Sequence, residues 1–339
     1  MTSIFQPSLL NDPLGDPGLL VQLSGEKGAL LFDLGDLSRI PNKVLMKTTH
    51  VFISHTHIDH FIGFDRLLRI IFGRGEVLKL YGPENIIRNV EGKLAGFTWN
   101  LVDKYDEAIS IEVTEVHPDG LKRAVFRAKD KFERCELEDA PFVEGQIVEE
   151  SSFTVSVAIL EHRVPCLGFA LCEKPKVKIN KERLDSLGAR PGSWLNDLKE
   201  AALAGRDDAV VDFPGRSEEP PVTVGQLRDD LYSIVDGQKI VYVTDTVFSE
   251  SNNPNIIQLA QDADLFFCES PFTAEETDRA LDRRHLTAQQ AGTLARAAQV
   301  KQLRIFHFSQ RHARGFEILY QEAAEAYGAP VPLSHAPDF

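Results

Sequence analysis

The 339-residue sequence predicts an α/β fold, and three observations carry that expectation. Short apolar runs recur with turn-forming residues between them. One long segment between runs has a helical rather than an alternating period. Strand-like and helix-like segments then alternate along the chain, which is the pattern of a sheet covered by helices. With 43% apolar residues the chain can bury a large core, as one big domain or two ordinary ones.

The elements follow in order. GALLFDLG at 28–35, THVFISH at 49–55, FTVSVAILEH at 153–162, KIVYVTD at 239–245, DLFFCE at 264–269 and LRIFH at 303–307 read as strands. Each is short, rich in β-branched, aromatic or leucine residues, and bounded by turn or polar residues. HLTAQQAGTLARAAQV at 285–300 reads as a helix, because Thr287 can cap it and its alanines and leucines recur at three and four. From Glu173 to about Gly237 the rhythm breaks. The chain turns polar through KPKVKINKER, RPGSWLNDLKEAALAG and PGRSEEPP, and reads as an arm inserted at about 173–237 into a domain spanning 1–339.

Composition narrows the classes of function. No stretch reaches the roughly 18 uninterrupted apolar residues of a membrane span, and MTSIFQPSLLNDPLGD lacks the pattern of a signal peptide, so a cytoplasmic protein without a membrane partner is expected. The four cysteines, Cys135, Cys166, Cys172 and Cys268, form no C-x-x-C pair and are expected in the core of a protein in a reducing compartment. A net charge of −14 argues against wholesale polyanion binding. It leaves room for a local basic patch, because screening limits the reach of distant charge.

Position tells more than composition. The six apolar runs end in turn on Asp33, His55, His162, Asp245, Glu269 and His307. Strand ends are where an α/β sheet presents its chemistry, since the sheet fixes the backbone and the loop beyond stays open. The densest stretch is VFISHTHIDHFI at 51–62, where His55, His57, Asp59 and His60 place three of the chain's ten histidines within six positions. Burying that set unpaired would cost several kcal/mol, which counts heavily against a purely structural role. Imidazole and carboxylate without thiolate suit zinc or a harder ion such as manganese. Four local ligands make room for two ions, which at about 3.5–4 Å apart need a bridging group and distant ligands. His162, Asp245 and His307 are the candidates. His50, His117, His312 and His335 lack such company and read as ordinary core or surface histidines.

HTHIDH resembles the H-x-H-x-D-H signature of the metallo-β-lactamase fold. From about Gly28 to Gly315 the chain is similar to the ribonuclease Z family, through FDLGD, SHTHIDHFIGFDRLL, LYGPENI, EHRVPCLGFAL, VTDT, CESPF, HLTAQQA and HFSQR. The resemblance implies a four-layer αβ/βα sandwich and two divalent metal ions, zinc or alternatively manganese. His55, His57 and His162 would hold one, Asp59, His60 and His307 the other, and Asp245 would bridge them. Asp33 would orient a metal-binding histidine through its other ring nitrogen. The implied activity is an endoribonuclease removing the 3′ trailer of precursor tRNA. Asp59 would orient and deprotonate the attacking water, and His285 paired with Glu269 would protonate the leaving oxygen. Ser309 and Arg311 match an H-x-S-x-R motif whose arginine contacts RNA. Arm 173–237 would grip the tRNA, and the chain would form a homodimer. Within the arm, KPKVKINKER sets five cations against one glutamate, an excess that phosphates favour, with a solvated charge run as the other reading.

Three loops depart from the family pattern. NDPLGDPGLL stands for a Gly-Thr-Gly loop, LGDLSRIP replaces a glycine- and glutamine-bearing segment after Asp33, and CESPF and HLT replace a histidine-glutamate-alanine-threonine loop and an H-S-T. These loops bear on substrate, so two other readings stay open. One is a hydrolase of the same fold acting on another small ester: a phosphodiester, cyclic nucleotide, lactone or thioester. The other is a non-catalytic scaffold, against which the intact ligand set with His285 and Glu269 speaks.

Overall fold

The computed structural model describes residues 3–25, 28–212 and 222–336, so the PGRSEEPP tract lies outside the described residues. The first sheet is built from β1 (Phe5–Leu9), β2 (Leu19–Leu23), β3 (Ala29–Phe32), β4 (Thr48–Phe52), β5 (Val77–Pro83), β6 (Ser110–His117), β7 (Gly120–Arg127) and β8 (Arg134–Ala140). The strands lie side by side in chain order. Strands β3 to β6 run parallel, with antiparallel hairpins on either flank. Helices α1 (Asn42–Leu45), α2 (Ile58–Phe61), α3 (Phe64–Ile71) and α4 (Ile86–Ala95) fill the crossovers.

The strand period of two explains how this sheet is covered on both faces. Leu31, Val51 and Ile53 pack with Leu67, Leu68 and Ile71 of α3 and Val90 and Leu94 of α4. Phe32 and Phe52 project the other way and stack on each other at 4.8 Å. They meet Phe169 at 5.7 and 5.6 Å, and Phe32 meets Tyr242 at 6.1 Å. Phe169 and Tyr242 belong to the second sheet, so this aromatic layer joins the two.

The second sheet opens with β9 (Gln146–Glu149), β10 (Phe153–Glu161) and β11 (Pro165–Glu173). The chain then leaves it for a separate compact unit, formed mainly by 172–238. That unit holds β12 (Lys176–Ile179), α5 (Lys181–Ser186), α6 (Trp194–Leu203), β13 (Val210–Val211), β14 (Val222–Thr223), α7 (Val224–Leu227) and β15 (Tyr232–Val235). Strand β12 pairs antiparallel with β15, and β13 with β14. Val177, Leu184, Trp194, Leu198 and Tyr232 make a core of its own. Its entry and exit lie together, Glu173 N donating to Gln238 O at 2.9 Å. Lys178 and Lys181 are exposed, whereas Lys176 pairs with Glu173 and Arg183 with Asp230.

Strands β16 (Lys239–Val243), β17 (Leu265–Glu269) and β18 (Leu303–Phe306) complete the second sheet in the order β18-β17-β16-β11-β10-β9. Helices α8 (Asn253–Ala260), α9 (Thr277–Arg283), α10 (Ala288–Ala297) and α11 (Glu317–Tyr327) follow these strands. Val241, Val243, Phe266, Cys268 and Ile305 pack with Leu294, Leu319 and Ala323 of α10 and α11. Helices, sheet, sheet, helices: the molecule is an αβ/βα sandwich. No helix among the described residues is long and apolar enough to cross a membrane.

Three expectations need correction. Five of the six strands stop one to three residues short of the apolar runs, β17 alone reaching the expected Glu269; β4 ends at Phe52, and Ser54 N turns to the Asp33 carboxylate at 2.7 Å. The helix expected over 285–300 is Ala288–Ala297, with Thr287 Oγ1 accepting from Gln290 N at 3.2 Å as its cap. Only Cys166 and Cys268 are buried; Cys135 is exposed because it lies on edge strand β8, and Cys172 is half-buried.

Candidate metal centre

His55, His57, Asp59 and His60 leave β4 together and curl into α2, so residues adjacent in sequence converge on one small volume. The loop is pinned from below. Asp33, fully buried just past β3, accepts from Ser54 N at 2.7 Å, Ser54 Oγ at 2.8 Å and Tyr242 Oη at 3.0 Å, and lies 2.9 Å from His60 Nδ1. Gly63 lets α2 and the 33–35 loop close on each other: a Cβ there would stand 2.4 Å from Gly35 O. Leu34 N donates to His60 O at 2.8 Å and Gly63 N to Leu34 O at 2.8 Å, locking the same junction.

The second sheet supplies the rest. His162 follows β10, Asp245 lies two residues past β16, and His307 follows β18. Asp33, Asp245 and His307 have φ of 57°, 46° and 60°. Such left-handed backbone costs about 1 kcal/mol in a residue with a side chain, least in Asp and His, and turns the chain sharply out of the ladder so that the side chain faces the rim.

Asp245 lies between two groups of imidazoles. Its Oδ2 is 3.5 Å from His55 Nε2 and 3.6 Å from His162 Nε2; its Oδ1 is 3.4 Å from His60 Nε2 and 3.0 Å from His307 Nδ1. Asp59 Oδ2 closes the far side, 3.5 Å from both His60 Nε2 and His307 Nε2. Candidate ligand atoms of His55, His57, His162 and Asp245 lie within 4.8 Å of one another, as do those of Asp59, His60 and His307. All seven side chains singled out in the sequence are therefore brought together.

Beside them, His285 Nδ1 is 2.7 Å from Glu269 Oε2, which is also 3.5 Å from His307 Nδ1. Glu269 Oε1 accepts from Thr246 N at 2.9 Å and Leu286 N at 3.3 Å, fixing the carboxylate. Asp245, Glu269, His285 and His307 form a further group with metal-ligand spacing. Ser309 caps the turn 310–312, while Arg311 is exposed, its Nε 3.5 Å from Glu276. The four histidines read as ordinary include His50, buried on Phe52 and Tyr81, and His117 and His312, paired with Glu115 and Glu276.

Charge in this cluster is sorted by environment. Burial opposes a charge on His60, but the Asp245 and Asp33 carboxylates outweigh it and lift its pKa to about 10. Burial and the neighbouring His60 drive His55 down to about 2 against the pull of Asp245. Burial would raise Asp59, yet its hydrogen bond to His307 and the nearby His60 hold it at about 2. His285 is raised, Glu269 overcoming burial, and Glu269 is lowered in return by His285.

Sequence reasoning missed three supports. Tyr242 reaches across the aromatic layer to Asp33, and Ser54 binds the same carboxylate. Asn252, buried at the start of α8, donates to Thr246 Oγ1 and to Val247 O at 2.9 Å and accepts from Glu161 N at 3.1 Å, so it ties the Asp245 loop to the residue before His162. Their sequence context looks like ordinary strand and cap; only the asparagine before a helical pattern carried a signal.

No family model matches the chain. Curated relatives do. A ribonuclease Z from Geobacillus kaustophilus is 30% identical over 329 residues, covering 94% of this chain and 90% of its own. One from Deinococcus radiodurans is 28% identical over 310 residues, covering 90% of each. Among solved structures, the metallo-β-lactamase fold protein YhfI from Bacillus subtilis has a TM-score of 0.56 at 16% identity, covering 99% of this chain and 98% of its own. The short form of human tRNase Z has a TM-score of 0.54 at 17% identity, covering 97% and 96%. The structural likenesses identify the metallo-β-lactamase fold, and the sequence likeness, 30% over 94% of the chain, makes this chain a member of the ribonuclease Z family.

Proposed function

We propose that this chain is a metal-dependent endoribonuclease that removes the 3′ trailer of precursor tRNA. The observation carrying the reading is the Asp245 carboxylate, one oxygen toward His55 and His162 and the other toward His60 and His307, with the His285–Glu269 pair alongside. The donor set fits divalent cations on a further ground. His60 Nε2 is buried with no hydrogen-bond partner among the described residues, an arrangement that a cation relieves.

In this reading His55, His57 and His162 would hold one cation and Asp59, His60 and His307 the other, with Asp245 placed to serve both. Zinc suits the imidazole-rich set, and manganese is the second candidate. When bound, the pair supplies an acidified water and neutralises charge on the phosphoryl oxygens. Asp59, kept ionised, accepts a hydrogen bond from that water and orients it. Asp33 holds the His60 ring through Nδ1, which leaves Nε2 available as a ligand atom. His285, kept cationic by Glu269, donates its proton to the leaving 3′-oxygen. Ser309 and Arg311 contact the RNA near the cut, and the exposed Lys178 and Lys181 of unit 172–238 bind tRNA phosphates. We assign the enzyme to the cytoplasm as part of the same proposal.

Self-association belongs to the same reading. A groove of about 1160 Å³ beside α3 is lined by Met46, Phe97, Leu101 and Tyr105, all exposed. Asp65, Arg66 and Arg69 line the same groove, and we assign this mixed apolar and charged face to a second copy of the chain. Light scattering should return twice the chain mass; the single mass would refute the assignment.

The function is tested by incubating the purified protein with a precursor tRNA and, separately, with bis-p-nitrophenyl phosphate. Release of the trailer, abolished by chelation and restored by zinc or manganese, is the expected result. Turnover of the small diester with the precursor left intact would move the protein to the small-ester reading.

A further inference from the structure

The exposed arginines next to His162 and His285 have no part in the chemistry described so far. Helix α9 ends at Arg283, and Arg284 follows at φ 62° before His285. Its carbonyl lies 2.8 Å from His162 Nδ1 and so holds that ring. The left-handed turn accounts for the carbonyl but not for the side chain, because glycine makes the same turn about 1 kcal/mol more cheaply. Arg163, directly after His162, folds onto the same turn, its Nη2 donating to Asp282 O at 2.5 Å. Both arginines are exposed, and the Arg284 guanidinium has no acidic partner among the described residues. Beside this turn the rings of His162 and His285 lie with centroids 5.3 Å apart.

On a chain of net charge −14, two permanently positive guanidinium groups follow His162 and precede His285 directly in sequence, beside an edge that also carries the Asp245, Glu269 and Asp282 carboxylates. Guanidinium is a planar, permanently charged donor suited to phosphodiester oxygens, and neither group is committed to a carboxylate. We propose that Arg163 and Arg284 form a phosphate-binding rim for the RNA strand on the 5′ side of the cut. The side follows from the chemistry. His285 protonates the leaving 3′-oxygen, so the nucleotide carrying that oxygen, and the phosphate preceding it, lie toward His285. The inference rests on the endoribonuclease reading above.

The test measures cleavage of a precursor tRNA by wild type, Arg284→Gly, Arg163→Ala and the double variant between 50 and 300 mM KCl. The 3′ end of a tRNA is single-stranded, for which each lost phosphate contact removes roughly 0.7 from the slope of log KM against log salt. Each single variant should raise KM several-fold and flatten the slope by about that amount, and the double variant by about twice as much. Precursor kcat/KM should fall relative to that for bis-p-nitrophenyl phosphate. Metal content and Tm of Arg284→Gly should stay at or above wild type, since glycine preserves the turn and its carbonyl. An active wild type with an unchanged slope in the double variant overturns the rim alone. Metal loss in Arg284→Gly also overturns it, by assigning the residue a structural role. A wild type inert on the precursor overturns the RNA reading and the rim with it.

Discussion

At Asp33 a single carboxylate serves three parts of the chain: it fixes the Ser54 backbone, holds the His60 ring, and receives the Tyr242 hydroxyl from the opposite sheet. The Glu269 carboxylate does the same for His285, Thr246 and Leu286. His285→Ala should therefore keep the metal, because Glu269 still anchors the neighbouring backbone, while kcat on precursor tRNA falls by about two to four decades for want of a proton donor. Metal content and steady-state rates check this together, and an unchanged kcat would remove His285 from the mechanism. The residues legible in sequence were those whose type and spacing already carry chemistry, such as the HTHIDH loop. Tyr242 was not legible. In VYVTD it looks like any core aromatic, and its hydroxyl gains meaning only from a partner 209 residues away.

At the scale of elements, six strands could be read: five are nearly all buried and so mostly apolar, and β10 alternates between buried and half-buried positions. Strands β6 and β8, SIEVTEVH and RCELEDA, alternate or run charged residues, and β8 is an exposed edge, so hydrophobicity alone passes over them. The strand ends were read slightly too long for a related reason: Asp33, Asp245 and His307 bend the backbone out of the sheet, and no apolar pattern records a change of φ. The 172–238 unit has its own strand pairs and its own core. Deleting residues 173–237 and joining the ends, which already lie within hydrogen-bonding distance, should weaken precursor cleavage at least tenfold, as loss of several phosphate contacts requires. Turnover of bis-p-nitrophenyl phosphate should survive. Equal loss on both substrates would mean that the unit only supports the fold.

Across the whole molecule, the fold class was legible from the alternation of elements. The four-layer sandwich came from the family resemblance; the contacts that join the two sheets were not legible, because Phe32, Phe52, Phe169 and Tyr242 find each other only in three dimensions. A residue stacked on the same layer adds to the acid sensitivity of the protein. His50, stacked beside Phe52 and Tyr81, has its pKa lowered from 6.5 to about 4, by burial first and then by Lys79, against the pull of Glu150. Below pH 6.5 the unfolded chain takes up a proton that the folded chain refuses, so stability is full above that value and is lost as pH falls through 4. The loss should be about 2 kcal/mol at pH 5 from this group alone. Urea unfolding of wild type and His50→Gln from pH 4 to 7 should show a shallower dependence in the variant, and parallel curves would refute the assignment.

The seven clustered side chains run from His55 to His307, and neither half of the chain contains the full set. During synthesis a ribosome must therefore deliver the chain as far as His307 before the cluster can assemble. A prematurely terminated product would carry the HTHIDH loop and yet be unable to cut RNA, a safeguard that comes from the order of residues along the chain and needs no inhibitor.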